Sequence, residues 1–282
     1  MKSKQFKIGK TVIEISAPFE IVEQKPFFDF ECFNQKIDYS VTYEVSEKLP
    51  DINTNIVFQD DVYTVKSFEG KNYIYYYDFD SKDFYACRIS SDDEDFCRVV
   101  VKKDYENRMW TRLIFDTIGI EEILAKNNAV LFHSSFIDLD GQGLLFTGPC
   151  GMGKSTQADL WKKYNGTEIM NGDKSVLYEN DSEYWVSGVY NSGSSIYCEN
   201  VQMPIKAIVM LSQAPYNKVE KSDSLNAFLH VYKSCYPVPY SAKLMNNQMN
   251  LAEKISHSIN VFKLECLPDE GAVRCLERIL ND

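Results

Sequence analysis

Along the first hundred residues, hydrophobic positions alternate with polar ones in short runs rich in aromatic and β-branched side chains. Residues 6–15, 37–45, 56–68, 73–79, 84–89 and 96–101 carry this pattern, separated by Pro, Gly, Asn and Asp. A period of two in such residues predicts strands. They form a mostly antiparallel sheet in a β-rich N-terminal domain, residues 1–105. Beyond Tyr105 the period changes: Trp110, Leu113, Ile114, Thr117, Ile118, Ile120, Ile123 and Leu124 recur at helical spacing. This predicts a bridging helix within 106–128, broken near Gly119. Residues 129–139 read as a strand, Asp140-Gly141 as a hairpin turn, and 143–147 as an antiparallel partner whose apolar run, Leu144-Leu145-Phe146, suits a buried strand. A helix over 155–164 follows, with Ala158, Leu160 and Trp161 available to a core. Further strands are predicted at 167–170, 175–178, 184–189 and 205–211, and helices at 223–232, 242–255 and 272–280. Pro237-Val238-Pro239 separates the first two of these helices. The mixture predicts an α/β domain over 129–282, with a mixed sheet and flanking helices, and an α+β chain overall.

The 282 residues suffice for one large or two modest domains. Acids outnumber bases 41 to 30, for a formal charge of −11. With no block of Lys and Arg, an extended nucleic-acid footprint is not expected. The aromatic cluster at 73–77 has no basic neighbours to make it a base-stacking platform, so strand packing is its plainer use. Eight cysteines are scattered without a C-x-x-C pair, which argues for reduced thiols in a cytoplasm rather than a zinc cluster or secreted disulfide framework. The N-terminus, MKSKQFKIGK, leads into alternating residues instead of a long apolar stretch, so no signal peptide or membrane span is expected.

Candidate chemistry concentrates where the apolar strand at 143–147 ends. Gly148, four residues, then Gly153-Lys154-Ser155 complete G-x-x-x-x-G-K-[ST], with the preceding strand and following helix that a phosphate-binding P-loop requires. Gly148, Gly151 and Gly153, with Met152 between the last two, allow successive N–H groups to turn toward one anion, reinforced by the helix dipole. Lys154 reaches the terminal phosphates of a nucleotide, and the hydroxyl of Ser155, with Thr156 beside it, completes the coordination of Mg²⁺. The plainer reading is a Gly-rich turn into a helix, set aside because motif, preceding strand and following helix coincide. Cys150, inside the loop, carries no functional assignment.

Three segments together resemble the C-terminal kinase region of HPr kinase/phosphorylase, whose P-loop fold is also that of the phosphoenolpyruvate carboxykinases. They are the strand bearing His133 in FHSSFIDLDGQG, the P-loop to which it turns by a hairpin, and IMNGDKSVL at 169–177. The resemblance fades through the remainder of the chain and leaves out the N-terminal sheet. It implies an ATP- and Mg²⁺-dependent kinase acting on a hydroxyl, of a serine in a peptide or small protein or of a small molecule. Relatives often assemble, so a homo-oligomer is a further implication. The absence of Asn-Lys-x-Asp argues against a small GTPase.

By the same resemblance, His133 lies near the reacting phosphates, to bond a phosphate oxygen or assist proton transfer; a satisfied core histidine is the alternative. Asp173 would bind Mg²⁺ or accept the acceptor's proton, although Asn171-Gly172-Asp173 is also an ordinary turn signal. Catalysis is thus assigned to Asp173, Lys154 and His133, nucleotide binding to Gly148, Gly151, Met152, Gly153, Lys154, Ser155 and Thr156, and the metal to Ser155 and Asp173. The family carries two adjacent acids where this chain has Gly172-Asp173-Lys174; the lone Asp aligns with either member and would serve two roles, which puts reversal to a phosphorylase in doubt. The loop 188–195 matches weakly a Gly-rich loop that approaches the phosphates in related kinases. No arginine lies between Arg112 and Arg274, so Lys154, Lys174, Lys206 or a partner subunit would supply the phosphate clamp. A carboxykinase, needing a transition metal and arginines, and a non-catalytic ATP-binding regulatory or scaffold protein are the other two readings.

Overall fold

The computed structural model describes residues 1–193 and 195–281. The chain divides into two compact units: residues 1–127 with 237–246, and residues 128–236 with 247–282. Each contains a mixed sheet, so the chain is α+β. No helix among the described residues is long and apolar enough to cross a membrane.

The first unit is built on strands β1 (Lys2–Ile8), β2 (Thr11–Ala17), β3 (Glu31–Cys32), β4 (Tyr39–Ser46), β5 (Ile56–Gln59), β6 (Tyr63–Phe68), β7 (Lys71–Tyr77), β8 (Phe84–Ser90) and β9 (Phe96–Lys102). Their order is β3-β1-β2-β4-β9-β8-β7-β6-β5. The pairings of β4 with β2 and β9 are parallel, inside an otherwise antiparallel sheet. Two single strands expected from alternation are hairpins. The run 6–15 reverses at Gly9, whose φ of +58° suits a tight turn, and Ile8 pairs with Thr11. The run 56–68 reverses where Asp60 Oδ1 accepts the N–H groups of Val62 and Tyr63, each at 2.8 Å. A short polar side chain there supplies turn bonds that the alternation does not reveal.

The helical spacing after residue 105 belongs to two helices, α1 (Thr111–Thr117) and α2 (Ile120–Lys126), instead of one bridge. They pack within the first unit: Tyr43 donates to the Ile114 carbonyl and lies 2.7 Å from Thr117 Oγ1. Gly119, at φ +72°, makes the break, and a Cβ there would fall on the Arg88 guanidinium. Gly119→Ala is therefore expected to cost about 2–4 kcal/mol, combining a strained left-handed residue with overpacking. An unchanged urea midpoint for the full-length variant would contradict this.

Arg88 belongs to a buried network. Its guanidinium donates to Glu122 Oε2 at 2.7 Å, Tyr240 Oη at 2.8 Å and Tyr76 Oη at 3.1 Å, while Lys126 Nζ lies 3.1 Å from Glu122 Oε1. Ser90 and Tyr240 also donate to Glu122. Burial works against the Glu122 charge, but Arg88 and Lys126 outweigh it and hold the carboxyl below its ordinary range. Segment 237–246 enters this unit through Tyr240, through Ser241 donating to Asp92, and through Val238 and Leu244, which pack with Ala125.

The second unit contains β10 (Ala129–Leu139), β11 (Gln142–Thr147), α3 (Lys154–Asn165), β12 (Glu168–Asn171), β13 (Lys174–Asn180), β14 (Glu183–Ser187), β15 (Gln202–Gln213), β16 (Lys218–Lys221), α4 (Ser224–Ser234), the greater part of α5 (Ala242–Ser258), β17 (Asn260–Cys266) and α6 (Glu270–Asn281). The β10–β11 hairpin turns at Asp140 and Gly141, both at positive φ as its two-residue turn requires. β10 pairs with β11, β12 and β13 along its length; β15 pairs with β14, then with β11 and β17 in parallel. With β13 joined to β14, these pairings close a ring through β11.

β11 is buried on both faces. Leu145 enters a core with Phe136, Ile208 and Val261, backed by α4 and α5 residues Ala227, Val231, Ala252 and Ile255. Leu144 and Phe146 enter another with Trp161 of α3 and Val273 and Leu276 of α6. Such a strand needs apolar residues at consecutive positions, which explains its unbroken run.

Candidate phosphate-binding site

The site begins where β11 ends. Gly148, Gly151 and Gly153 have φ of +150°, +77° and +103°, a backbone that side-chain-bearing residues adopt at a cost. The loop passes directly into α3, whose first residue is Lys154. Only 8 % of Lys154 is exposed, and its Nζ donates to the Gly148 and Pro149 carbonyls at 3.1 and 3.4 Å. Burial lowers the pKa of this ammonium, opposed by the nearby Asp173 charge. Ser155 and Thr156 are exposed on the first turn.

Asp173 approaches from the turn between β12 and β13. Asn171, fully buried, shapes that turn: its Oδ1 accepts the N–H groups of Asp173 and Lys174, each at 3.1 Å, and its Nδ2 donates to the Val189 carbonyl at 2.9 Å. Turn residue and candidate acid are therefore two properties of one segment. His133, paired with Lys174 across β10 and β13, sets its Nε2 3.2 Å from Asp173 Oδ1. That hydrogen bond, with the charges of His133, Lys174 and Lys154, outweighs desolvation and holds the carboxyl below its ordinary range.

Gly151, Gly153, Lys154, Ser155, Thr156, Gly172 and Asp173 line one cleft of about 520 Å³. His133 is not part of this lining and meets the cleft through Asp173. Gly148 is buried at the base of the loop, and Met152 lines a neighbouring cleft. Lys174 Nζ stands 5.0 Å from the centre of the Tyr236 ring, and neither Lys174 nor Lys206 contributes to the lining.

The cleft also contains Ser135, Ser192, Ser195 and Tyr197, which were not assigned from sequence. Ser192 and Ser195 come from the Gly-rich loop, whose Ser194 lies outside the described residues, and Tyr197 follows it. This loop is fitted to the acidic turn. A Cβ on Gly172 would fall on the Cβ and Oγ of Ser195, and one on Gly193 would come within 2.8 Å of Asp173 Oδ2. The space beside Gly172 is thus filled by a serine 23 residues away. Gly172→Ala is expected to lose about 1–3 kcal/mol of stability by overpacking, and Ser195→Gly in that background to restore most of it. Thermal unfolding of both variants checks this; failure of Ser195→Gly to rescue would show that the contact does not control the loop.

The donor set fits hydrated Mg²⁺. Ser155 and Asp173 offer one hydroxyl and one ionised carboxylate on the same cleft, leaving other positions to water and phosphate oxygens. Among the described residues, no three His, Cys, Asp or Glu side chains gather as a metal site. No family model and no curated protein matches the chain. Among solved structures, the Hpr(Ser) kinase/phosphatase from Coxiella burnetii is a distant neighbour: the match covers 54 % of this chain and 92 % of that one, at 15 % sequence identity and a TM-score of 0.32.

Proposed function

We propose that the second unit is an ATP-dependent phosphotransferase that delivers a γ-phosphate to a hydroxyl. The reading rests on Lys154, Ser155 and Asp173 lining a single cleft, with His133 holding Asp173 ionised. The N–H groups of the glycine loop and the start of α3 bind phosphate oxygens, and Lys154 exchanges its carbonyl partners for them. Ser155 and Asp173 hold the cation. Mg²⁺ held by these two residues would supply charge neutralisation at the phosphoryl group. Asp173 also orients the acceptor hydroxyl and accepts its proton; phosphoryl transfer depends chiefly on such positioning and electrostatic stabilisation. His133 is a positioning residue, since it acts through Asp173. The acceptor is a serine of a peptide or small protein, or a small-molecule alcohol, and the setting is cytoplasmic.

One observation favours a second, non-catalytic reading in which nucleotide binding regulates or orders the protein. Gly172 brings no carboxylate, and Ser195 fills the space beside it. Turnover separates the two. The purified chain is incubated with Mg²⁺ and γ-labelled ATP, with and without a pool of serine peptides and metabolite alcohols. A labelled hydroxyl product is expected; saturable ATP binding without label transfer would move the assignment to the regulatory reading.

A further inference from the structure

The glycine loop is a wall shared by two clefts. The second, of about 580 Å³, has Gly151, Gly153 and Thr156 in common with the first, and is otherwise lined by Met152, Gln157, Gln213, Ala214, Cys266, Leu267 and Pro268. It opens where three adjacent parallel strands end: β11 at Thr147, β15 at Gln213 and β17 at Cys266. Carboxyl ends of parallel strands are where α/β sheets take their ligands, because the connecting loops diverge there.

The two clefts differ in chemistry. The first is lined by one ammonium, Lys154, and two carboxylates, Asp159 and Asp173, whereas the second contains no Lys, Arg, His, Asp or Glu side chain. A charged phosphoryl group and its cation suit the first. An uncharged, flat, partly apolar group suits the second.

Four polar groups around the second cleft are already engaged. The Ala214 N–H donates to the Cys266 carbonyl, the Leu267 N–H to Asn217 Oδ1, Gln213 Nε2 to the Gly151 carbonyl and Gln157 Nε2 to Cys266 Sγ. Gln157 Oε1 is buried and has no partner among the described residues. Apolar contact, from Met152, Ala214, Leu267 and Pro268, is the larger part of what the lining offers.

We propose that this second cleft holds the nucleoside end of a nucleoside triphosphate whose phosphates lie on the glycine loop, and that it holds the base by apolar contact without reading its hydrogen-bonding edge. The terminal phosphate then faces Asp173, and the acceptor enters from the Ser135 and Ser195 side of the first cleft. The proposal rests on the phosphate-binding reading of the loop and adds where the base goes and how little it is discriminated.

The test measures dissociation constants of MgATP, MgGTP and magnesium tripolyphosphate on the full chain by calorimetry. It compares the wild type with Ala214→Trp and Leu267→Trp, which fill the cleft from two loops without touching Lys154 or Asp173. ATP and GTP are expected within about fivefold of each other, and each at least about tenfold tighter than tripolyphosphate. Both Trp variants should weaken ATP and GTP by about tenfold or more while leaving tripolyphosphate within about twofold. Unchanged ATP binding in both variants, or tripolyphosphate weakening in step with ATP, would overturn the nucleoside cleft. A larger preference for one base would overturn the claim of base indifference. Wild-type protein that binds neither nucleotide nor tripolyphosphate would instead remove the phosphate site on which the proposal stands.

Discussion

Asp173→Asn is expected to slow phosphoryl transfer by about 10³-fold, the scale of losing a catalytic carboxylate or comparable electrostatic group, while triphosphate affinity changes by less than about fivefold. The substitution keeps the shape of the side chain and removes its charge. Asn171 still shapes the turn, because its bonds go to the backbone of Asp173 and Lys174. On the proposed reading the loop N–H groups and Lys154 provide phosphate binding, which should therefore survive. The ionised form matters: His133 holds Asp173 below its ordinary range, so the carboxylate stays charged as pH falls through the usual aspartate value of about 3.9. The acid limb due to Asp173 should therefore lie below that value. His133→Asn should weaken this hold and move the limb upward, a change that loss of packing alone would not produce. Single-turnover transfer across pH, beside calorimetric binding, separates the effects. Wild-type transfer by Asp173→Asn would end the role assigned to this residue.

Glu122→Gln is expected to destabilise the first unit by about 3–5 kcal/mol, because removing one member of a buried ion network leaves the other charges uncompensated. Arg88 and Glu122 have side chains 2 % and 0 % exposed, and Lys126 is 4 % exposed. The amide retains the volume and loses the charge that both cations face. The folded-state pKa of Glu122 is depressed, so the stability its ionisation contributes is complete above the unfolded value of about 4.3 and is lost as pH falls through the folded value. Urea unfolding at neutral and acid pH should show a lower midpoint in the variant and a smaller acid-induced loss. Equal midpoints for the two proteins at pH 7 would show that the network adds no net stability. Arg88→Met combined with Glu122→Leu should cost less than the two single changes added together, since the double variant strands fewer charges.

The second unit was readable where local rules and tertiary environment agree. The β10 limits and the Asp140-Gly141 turn follow directly from residue pattern, and the apolar run of β11 reflects a strand covered on both sides. In β17 the signal was present but short: Phe262, Leu264 and Cys266 alternate with Lys263 and Glu265, directly after the helical spacing of α5. The hairpins within 6–15 and 56–68 were hidden because alternation continues through a tight turn. In the site, the glycine loop, Lys154 and Ser155 are contiguous and carry their own spelling. The fit of Ser195 against Gly172 is not local, because it depends on the path of a loop between the two β-strands flanking it. The second cleft is likewise invisible in the chain, since Met152, Ala214 and Leu267 meet only through the order of three strands.

The return of residues 237–246 to the first unit limits how the protein can be shortened. The chain passes between units at 127/128, 236/237 and 246/247, so no single cut yields two intact bodies. A fragment starting at residue 128 would retain Val238 and Leu244 without Ala125, and Tyr240 without Arg88 and Glu122. It would expose apolar surface that the full chain covers, while the matching N-terminal fragment would lose a hydroxyl bound to its buried ions. Folding and proteolysis of either fragment would therefore report the severed insertion as well as the intrinsic stability of the unit it represents.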